Sequence, residues 1–163
     1  MDYRVIDNTR KKHKKVIKLL FSQCSRILIA TPFISNEGVD LLNECGPERF
    51  EQVILVTTLK AKDGDQFKKV PVLLKLFSLL QQGSLSSKLS VHVDNRLHGK
   101  VYIGLSGDHF IGAIISSANF TRNGIERNHE RGVFIDNPEE IESVYNLVLN
   151  DAVRTVGKET WKR

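Results

Sequence analysis

Two continuous apolar runs, RILIAT at 26–31 and QVILVT at 52–57, constrain this chain's fold more than any other feature. A run without polar alternation suits a strand buried on both faces, and such strands belong to sheets covered by helices on each side. The first run ends at Pro32 and is followed by a helical pattern from Glu37 to Glu44, closed by Gly46. The second leads through a lysine-bearing loop into a helix from about Phe67 to Gln82, with Pro71 inside its first turns. Two strand and helix alternations in a row predict βαβ units. Upstream, Asn8 or Thr9 can cap a helix through Cys24 that sends Val16, Leu19, Leu20 and Phe21 to the core. Downstream lie four strand-like runs, Leu89 to Val93, Gly99 to Leu105, Phe110 to Ser117 and Gly132 to Ile135, with Ser106-Gly107-Asp108 as a hairpin turn. Pro138 to Val156 reads as an amphipathic helix whose first turn carries Glu139, Glu140 and Glu142. The expected fold is α/β, with a mixed, mostly parallel central sheet flanked by helices on both faces.

The 163 residues fit a single domain, 1–163, without internal repeats. The softest connection is QQGSLSSK, Gln81 to Lys88, which reads as a loop and not as a domain boundary. Cys24 and Cys45 are too few for a disulfide framework and lack the spacing of a zinc site, which points to a reducing compartment. No stretch approaches the roughly 20 apolar residues of a membrane helix, and MDYRVIDNTRKKHKK has no signal-peptide core, so a soluble, cytoplasmic protein is expected. The net charge is +5, and six of the 24 basic residues crowd into Arg10, Lys11, Lys12, Lys14, Lys15 and Lys18. That run suits a polyanion, or is a solvated helix face.

Chemistry concentrates in HGK at 98–100 and SSAN at 116–119. Side chains two apart on a strand share a face, so His98 and Lys100 point the same way. FTRNGIERNHERG follows, with a short polar helical turn at 121–127 and Glu130 just before the next strand. The polar groups thus gather at the ends of neighbouring strands, where α/β sheets place their sites. A neutral imidazole can serve as nucleophile or general base. Lys100, Asn119 and Ser117 are donors that together suit the non-bridging oxygens of a phosphate, and Glu130 can accept from one ring nitrogen of His98. With a cation and an amide in that role, no metal and no cofactor are required.

HGKVYIG followed by ISSANFTRNGIERNHERG resembles the HKD motif of the phospholipase D superfamily, and more closely its single-motif nucleases. The likeness spans roughly 97–135, and the elements before it fit the αβαβα half of that fold. It implies His98 as nucleophile or acid, Lys100 and Asn119 as phosphate ligands, Ser117 as support for the turn, and Glu130 as the group that orients the histidine. The superfamily motif has an aspartate five residues after the lysine. Here that position is Leu105, and Asp108 follows in the turn. In this the chain is similar to the nuclease domains of phospholipase D-type restriction endonucleases, where that aspartate is also out of place.

The family's mechanism uses two histidines, whereas one HxK occurs here. The resemblance therefore implies a homodimer with the site on its two-fold axis. Charge favours nucleic acid, probably DNA, and the resemblance implies that it is cut through a phosphohistidine. The alternative is a phospholipid-directed phospholipase D or phosphatidyltransferase. No base-reading motif is evident, so a stand-alone chain should cut with little sequence preference, whereas in a restriction enzyme a separate recognition domain or subunit would read the bases. His13 and His92 read as surface or fold residues. His109 follows the turn, His129 neighbours Glu130, and Trp161 sits by the charged C-terminus. Thr31, Pro32 and Phe33 end the first strand at the motif's edge, where they line the site or simply pack.

Overall fold

In the computed structural model, which describes residues 4–9, 12–60, 65–81, 88–152 and 154–156, both apolar runs are central strands. They are β2 (Arg26–Ala30) and β3 (Gln52–Thr57). Around them lie β1 (Arg4–Asp7), β4 (Leu89–Val93), β5 (Lys100–Ser106), β6 (His109–Ser116), β7 (Arg131–Ile135) and β8 (Arg154–Val156). All eight join one sheet in the order β1-β7-β6-β5-β2-β3-β4-β8.

Alternation along each strand sends neighbouring side chains to opposite faces. From β2, Ile27 and Ile29 enter one core with Val53, Leu55, Val91 and Tyr102. On that face pack α1 (His13–Phe21), α2 (Asn36–Glu44) and α3 (Asp65–Leu80), through residues such as Ile17, Leu42 and Leu73. Leu28 and Ala30 enter a second core with Val56, Ile103 and Ala113, covered by Ile141, Val144 and Val148 of α4 (Pro138–Asp151). Helices therefore cover both faces, as the uninterrupted apolar runs require.

The expected parallel character does not hold for most of the sheet. Only β2–β3 and β3–β4 are parallel, whereas β2–β5, β5–β6, β6–β7, β1–β7 and β4–β8 are antiparallel. Parallel pairing needs a crossover between strands, which α2 supplies for β2–β3 and α3 for β3–β4. After β4 the chain crosses back without a helix to lay β5 antiparallel beside β2, and the β5–β6 hairpin continues the antiparallel half.

The first helix is shorter than the pattern suggests, beginning after Lys12 and ending at Phe21. Asn8 still accepts its first amide hydrogen, from His13 at 2.8 Å, but from across a loop and not as the adjoining cap. The last helix stops at Asp151, and 154–156 pairs with β4 instead of continuing it. Strand β1, four residues long and half exposed, carries too little apolar periodicity to be read from sequence. Arg10, Lys11, residues 82–87 of the soft connection and Trp161 lie outside the described residues. Among the described residues no helix is long and apolar enough to cross a membrane.

The β5–β6 hairpin turns through Gly107, whose φ of 57° is left-handed backbone that favours glycine. Asp108 sits there, at the far end of β5 from Lys100, and Arg26 Nη1 holds its carboxylate at 2.6 Å. The Asp108 side chain is 96% exposed, so this is a solvated ion pair at a turn. Asp108→Asn should cost less than about 1 kcal/mol in urea unfolding and leave the activity of the HGK edge unchanged. A loss of activity with intact stability would return Asp108 to the site.

Candidate active site

Register gathers the motif residues at one end of the sheet. Lys100, the first residue of β5, pairs with Ser116 at the end of β6, and Ser116 pairs in turn with Gly132 in β7. On the other side of β5, Val101 faces Ala30, which brings Thr31 beside the same edge. His98 stands two residues ahead of Lys100, Ser117 continues β6, and Glu130 immediately precedes β7. Thus the strand order itself assembles Lys100, Ser117 and Glu130, with His98 at the rim.

The burial of these groups differs in a way that matters. Lys100 is only 7% exposed, and among the described residues its ammonium has no carboxylate partner. A buried cation without a counter-charge is costly, and a bound anion relieves that cost. His98 is exposed and makes no side-chain hydrogen bond among the described residues. Asn119 is half-buried, its Oδ1 3.4 Å from the Thr31 hydroxyl, which leaves both amide hydrogens for a ligand. Among the described residues Lys100, the Asn119 amide hydrogens and the His98 imidazole keep hydrogen-bonding capacity that an anionic ligand could use.

The expected Glu130 to His98 contact is not made within one chain. Instead the Glu130 carboxylate accepts from the Ser117 hydroxyl and, at 3.3 Å, from Asn128 Nδ2. Ser117 Oγ also accepts the Arg131 amide hydrogen at 3.2 Å, tying the turn to the start of β7.

The SSAN turn is fastened from beneath. Tyr102, wholly buried on β5, donates its hydroxyl to the Ala118 carbonyl at 2.5 Å, and burial pushes its phenol well above the usual range. Thr31 Oγ1 accepts the Phe120 amide hydrogen at 3.2 Å. Beyond the turn, the chain makes one π-type helical turn, Asn123–Arg127, a geometry often found at functional sites. Gly124 in that turn leaves no room for a side chain, because a Cβ would lie 2.3 Å from the Asn119 carbonyl oxygen. Gly38 of α2 does the same on the other side, 2.5 Å from the Phe120 carbonyl oxygen.

A buried network, not visible in the motifs, supports the same turn. Asn8 Nδ2 donates to the Gly124 and Asn128 carbonyls, both at 2.9 Å. Its Oδ1 must therefore accept, and does so from His13 Nδ1 at 2.7 Å. His13 Nε2 is then the acceptor for the Ser116 hydroxyl at 2.7 Å, and Ser116 Oγ accepts the Ala118 amide hydrogen at 2.9 Å. His13 is fully buried, and desolvation holds its pKa below the usual imidazole value against the opposing fields of Glu130 and Asp7. It is a fold residue, as expected, but one that reaches the site. The signal was available: a histidine amid lysines at the first turn of a helix whose inner face is apolar.

The basic run around it is partly neutralised. Lys14 pairs with Glu126 at 2.9 Å and Glu44 at 3.6 Å, and Lys18 pairs with Glu44 at 2.9 Å. His92 lies on β4 and His109 at the distant hairpin, away from the gathered residues, while exposed His129 adjoins Glu130. Among the described residues no three His, Cys, Asp or Glu side chains gather as ligands for an ion. A groove of about 540 Å³ opens beside Asn119, lined by Phe33, Ile34, Lys68, Lys69, Thr121 and Asn123. Lys68 and Lys69 were missed by sequence reasoning, because the crossover from β3 to β4 brings the start of α3 to this edge, whereas Thr121 and Asn123 belong to the polar turn at 121–127 without having been singled out.

A family model described as the NgoFVII restriction endonuclease N-terminal PLD domain matches residues 12–159. Among solved structures, the chain is similar to Nuc from Salmonella typhimurium, a phospholipase D family member, with a TM-score of 0.70 at 16% identity over 95% of this chain and 97% of that one. It is also similar to NucT from Helicobacter pylori, with a TM-score of 0.62 at 14% identity over 93% and 98% of the two chains. The phosphatidylserine synthase of Haemophilus influenzae gives a TM-score of 0.68 at 13% identity, over 93% of this chain and 37% of that one. At these identities the likeness is one of fold. No curated protein matches the chain in sequence.

Because Gly124 meets main chain and not a flexible side chain, Gly124→Ala cannot be absorbed locally. The substitution should cost about 1–3 kcal/mol in thermal or urea unfolding. By displacing Asn119 it should also lower turnover on the order of 100-fold, since a 1 Å misplacement can cost that much. Full activity in a destabilised variant would show that the position of Asn119 does not matter.

Proposed function

The chain belongs to the family of the NgoFVII restriction endonuclease N-terminal PLD domain, and from that premise we propose that it is a metal-independent endonuclease acting on DNA. The observation that carries the reading is the buried Lys100, without a carboxylate partner among the described residues, at the same sheet edge as the free amide hydrogens of Asn119 and the exposed imidazole of His98. Lys100 and Asn119 bind the non-bridging oxygens of the scissile phosphate, whose charge grows in the transition state. Ser117 supports their turn, and a divalent ion has no task that these donors leave undone.

In the first step a nitrogen of His98 attacks phosphorus, forming a P–N bond as the bond to the leaving oxygen breaks. That oxygen needs a proton, and no second HxK exists in the chain. We assign it to His98 of the partner subunit in a two-fold symmetric homodimer. The now neutral partner imidazole then takes a proton from water, whose oxygen attacks phosphorus and expels His98. Within its own chain the Glu130 carboxylate accepts from Ser117 and Asn128, so its support for the site runs through the SSAN turn that it holds.

Substrate choice follows from charge and from the groove. The net charge is +5, and Lys68 and Lys69 line the groove beside Asn119 with no carboxylate among its described lining residues, which suits a nucleic-acid backbone. Base reading is assigned to a separate domain or subunit, making this chain the catalytic part of a restriction endonuclease. Two buried free thiols, Cys24 with its pKa pushed up to about 11 by burial, accord with a cytoplasmic location.

Plasmid cleavage in EDTA by wild type and His98→Ala tests the reading. Cutting by the wild type, lost by at least about 1,000-fold in the variant, is expected. A strict need for magnesium, or headgroup release from phospholipid vesicles in place of DNA cleavage, would overturn it. Sedimentation should show a dimer.

A further inference from the structure

Phe33 is a large aromatic side chain left 44% exposed at the rim of the site. It lies three residues past the end of β2, and its position is fixed by neighbouring bonds. Thr31 Oγ1 donates to the Phe33 carbonyl at 2.9 Å, and the Lys69 ammonium sits 5.3 Å from the centre of its ring. Lys69 is itself buried and held by the Thr58 carbonyl and hydroxyl, both at 2.7 Å, so the cation is a fixed backing for the ring.

The groove that Phe33 lines also contains Asn119, a residue of the phosphate clamp, and the donors Lys68, Thr121 and Asn123. Its volume of about 540 Å³ falls within the range of small-molecule sites, roughly 300–1,000 Å³, and accommodates one nucleotide. The lining combines an aromatic face, hydrogen-bond donors and cations, with no carboxylate among the described lining residues. A ligand matching all three features is a planar ring with polar edges attached to a phosphate.

We propose that this groove is a nucleobase subsite, in which Phe33 stacks the unpaired base of the nucleotide next to the scissile phosphate. The inference rests on the phosphodiesterase reading of the His98 edge and adds the state of the substrate. A base in a duplex is already stacked on both sides, so Phe33 engages a base that is single-stranded or turned out of the helix. A duplex substrate therefore turns that base out of the helix when it is seated. Stacking on an aromatic side chain is sequence-tolerant, because every base has a π face, and Asn123 and Thr121 contact base edges without demanding one base.

The test uses the full chain and two fluorescent single-stranded oligonucleotides of equal length and charge, one with bases and one built from abasic residues, followed by anisotropy. Wild type should bind the base-bearing strand on the order of tenfold or more tighter than the abasic one. Phe33→Ala should abolish that ratio while keeping its affinity for the abasic strand, and Phe33→Trp should restore it. A misfolded variant would lose the abasic strand too, and the tryptophan variant guards against that. An unchanged ratio in Phe33→Ala, or no preference in the wild type, overturns the proposal. Failure of the phosphodiesterase reading looks different: neither strand is hydrolysed by the wild type, whatever the binding ratio.

Discussion

Strand β5 is hydrogen-bonded on both sides, to β2 and to β6, and its register with each sets the position of Lys100. Side chains alternate along a strand, so a slip of one residue would turn Lys100 to the face of α4 and bury Val101 among the helices α1 to α3. That slip is blocked by the two cores. Tyr102 and Ile114 fill one face, and Ile103, Leu105 and Ala113 fill the other. The position of one cation therefore depends on the packing of the whole sheet. This is the sense in which core residues far from the edge serve the chemistry.

What the sheet cannot fix is the loop beyond it, and here polar bonds take over. The SSAN turn is held by Tyr102, Thr31 and the Asn8–His13–Ser116 network, and two glycines let α2 and the π-type turn close on its backbone. Each buried polar group in the network has its partners, as burial demands. Asn8 uses two donors and two acceptor positions at once, so replacing it would strand several groups. By contrast His98, Lys100 and Asn119 are left with bonding capacity. A site differs from a core in that incompleteness.

Much of this was legible in the sequence. The apolar runs gave the buried strands, and the HGK and SSAN motifs marked the edge where Lys100, Ser117, Asn119 and Glu130 meet. The direction of the sheet was not legible, because two βα units suggest a parallel continuation, whereas β5 crosses back to pair antiparallel with β2. His13 hid among lysines, since a charge run reads as a solvated surface, and its partner Ser116 lies 103 residues away. The link between Glu130 and His98 was expected within one chain, but Glu130 turns instead to Ser117. Pairings of this range depend on topology, which no local pattern encodes.

The central claim is that His98 bonds to phosphorus during turnover. The most direct test quenches the reaction in denaturant during steady-state cleavage of DNA labelled with ³²P at the scissile phosphate, then separates protein from free nucleic acid. The account predicts label on the protein, stable in base, released by mild acid, and mapped to the peptide carrying His98. Label that never appears on the protein while cleavage proceeds, or that maps to another residue, would contradict it.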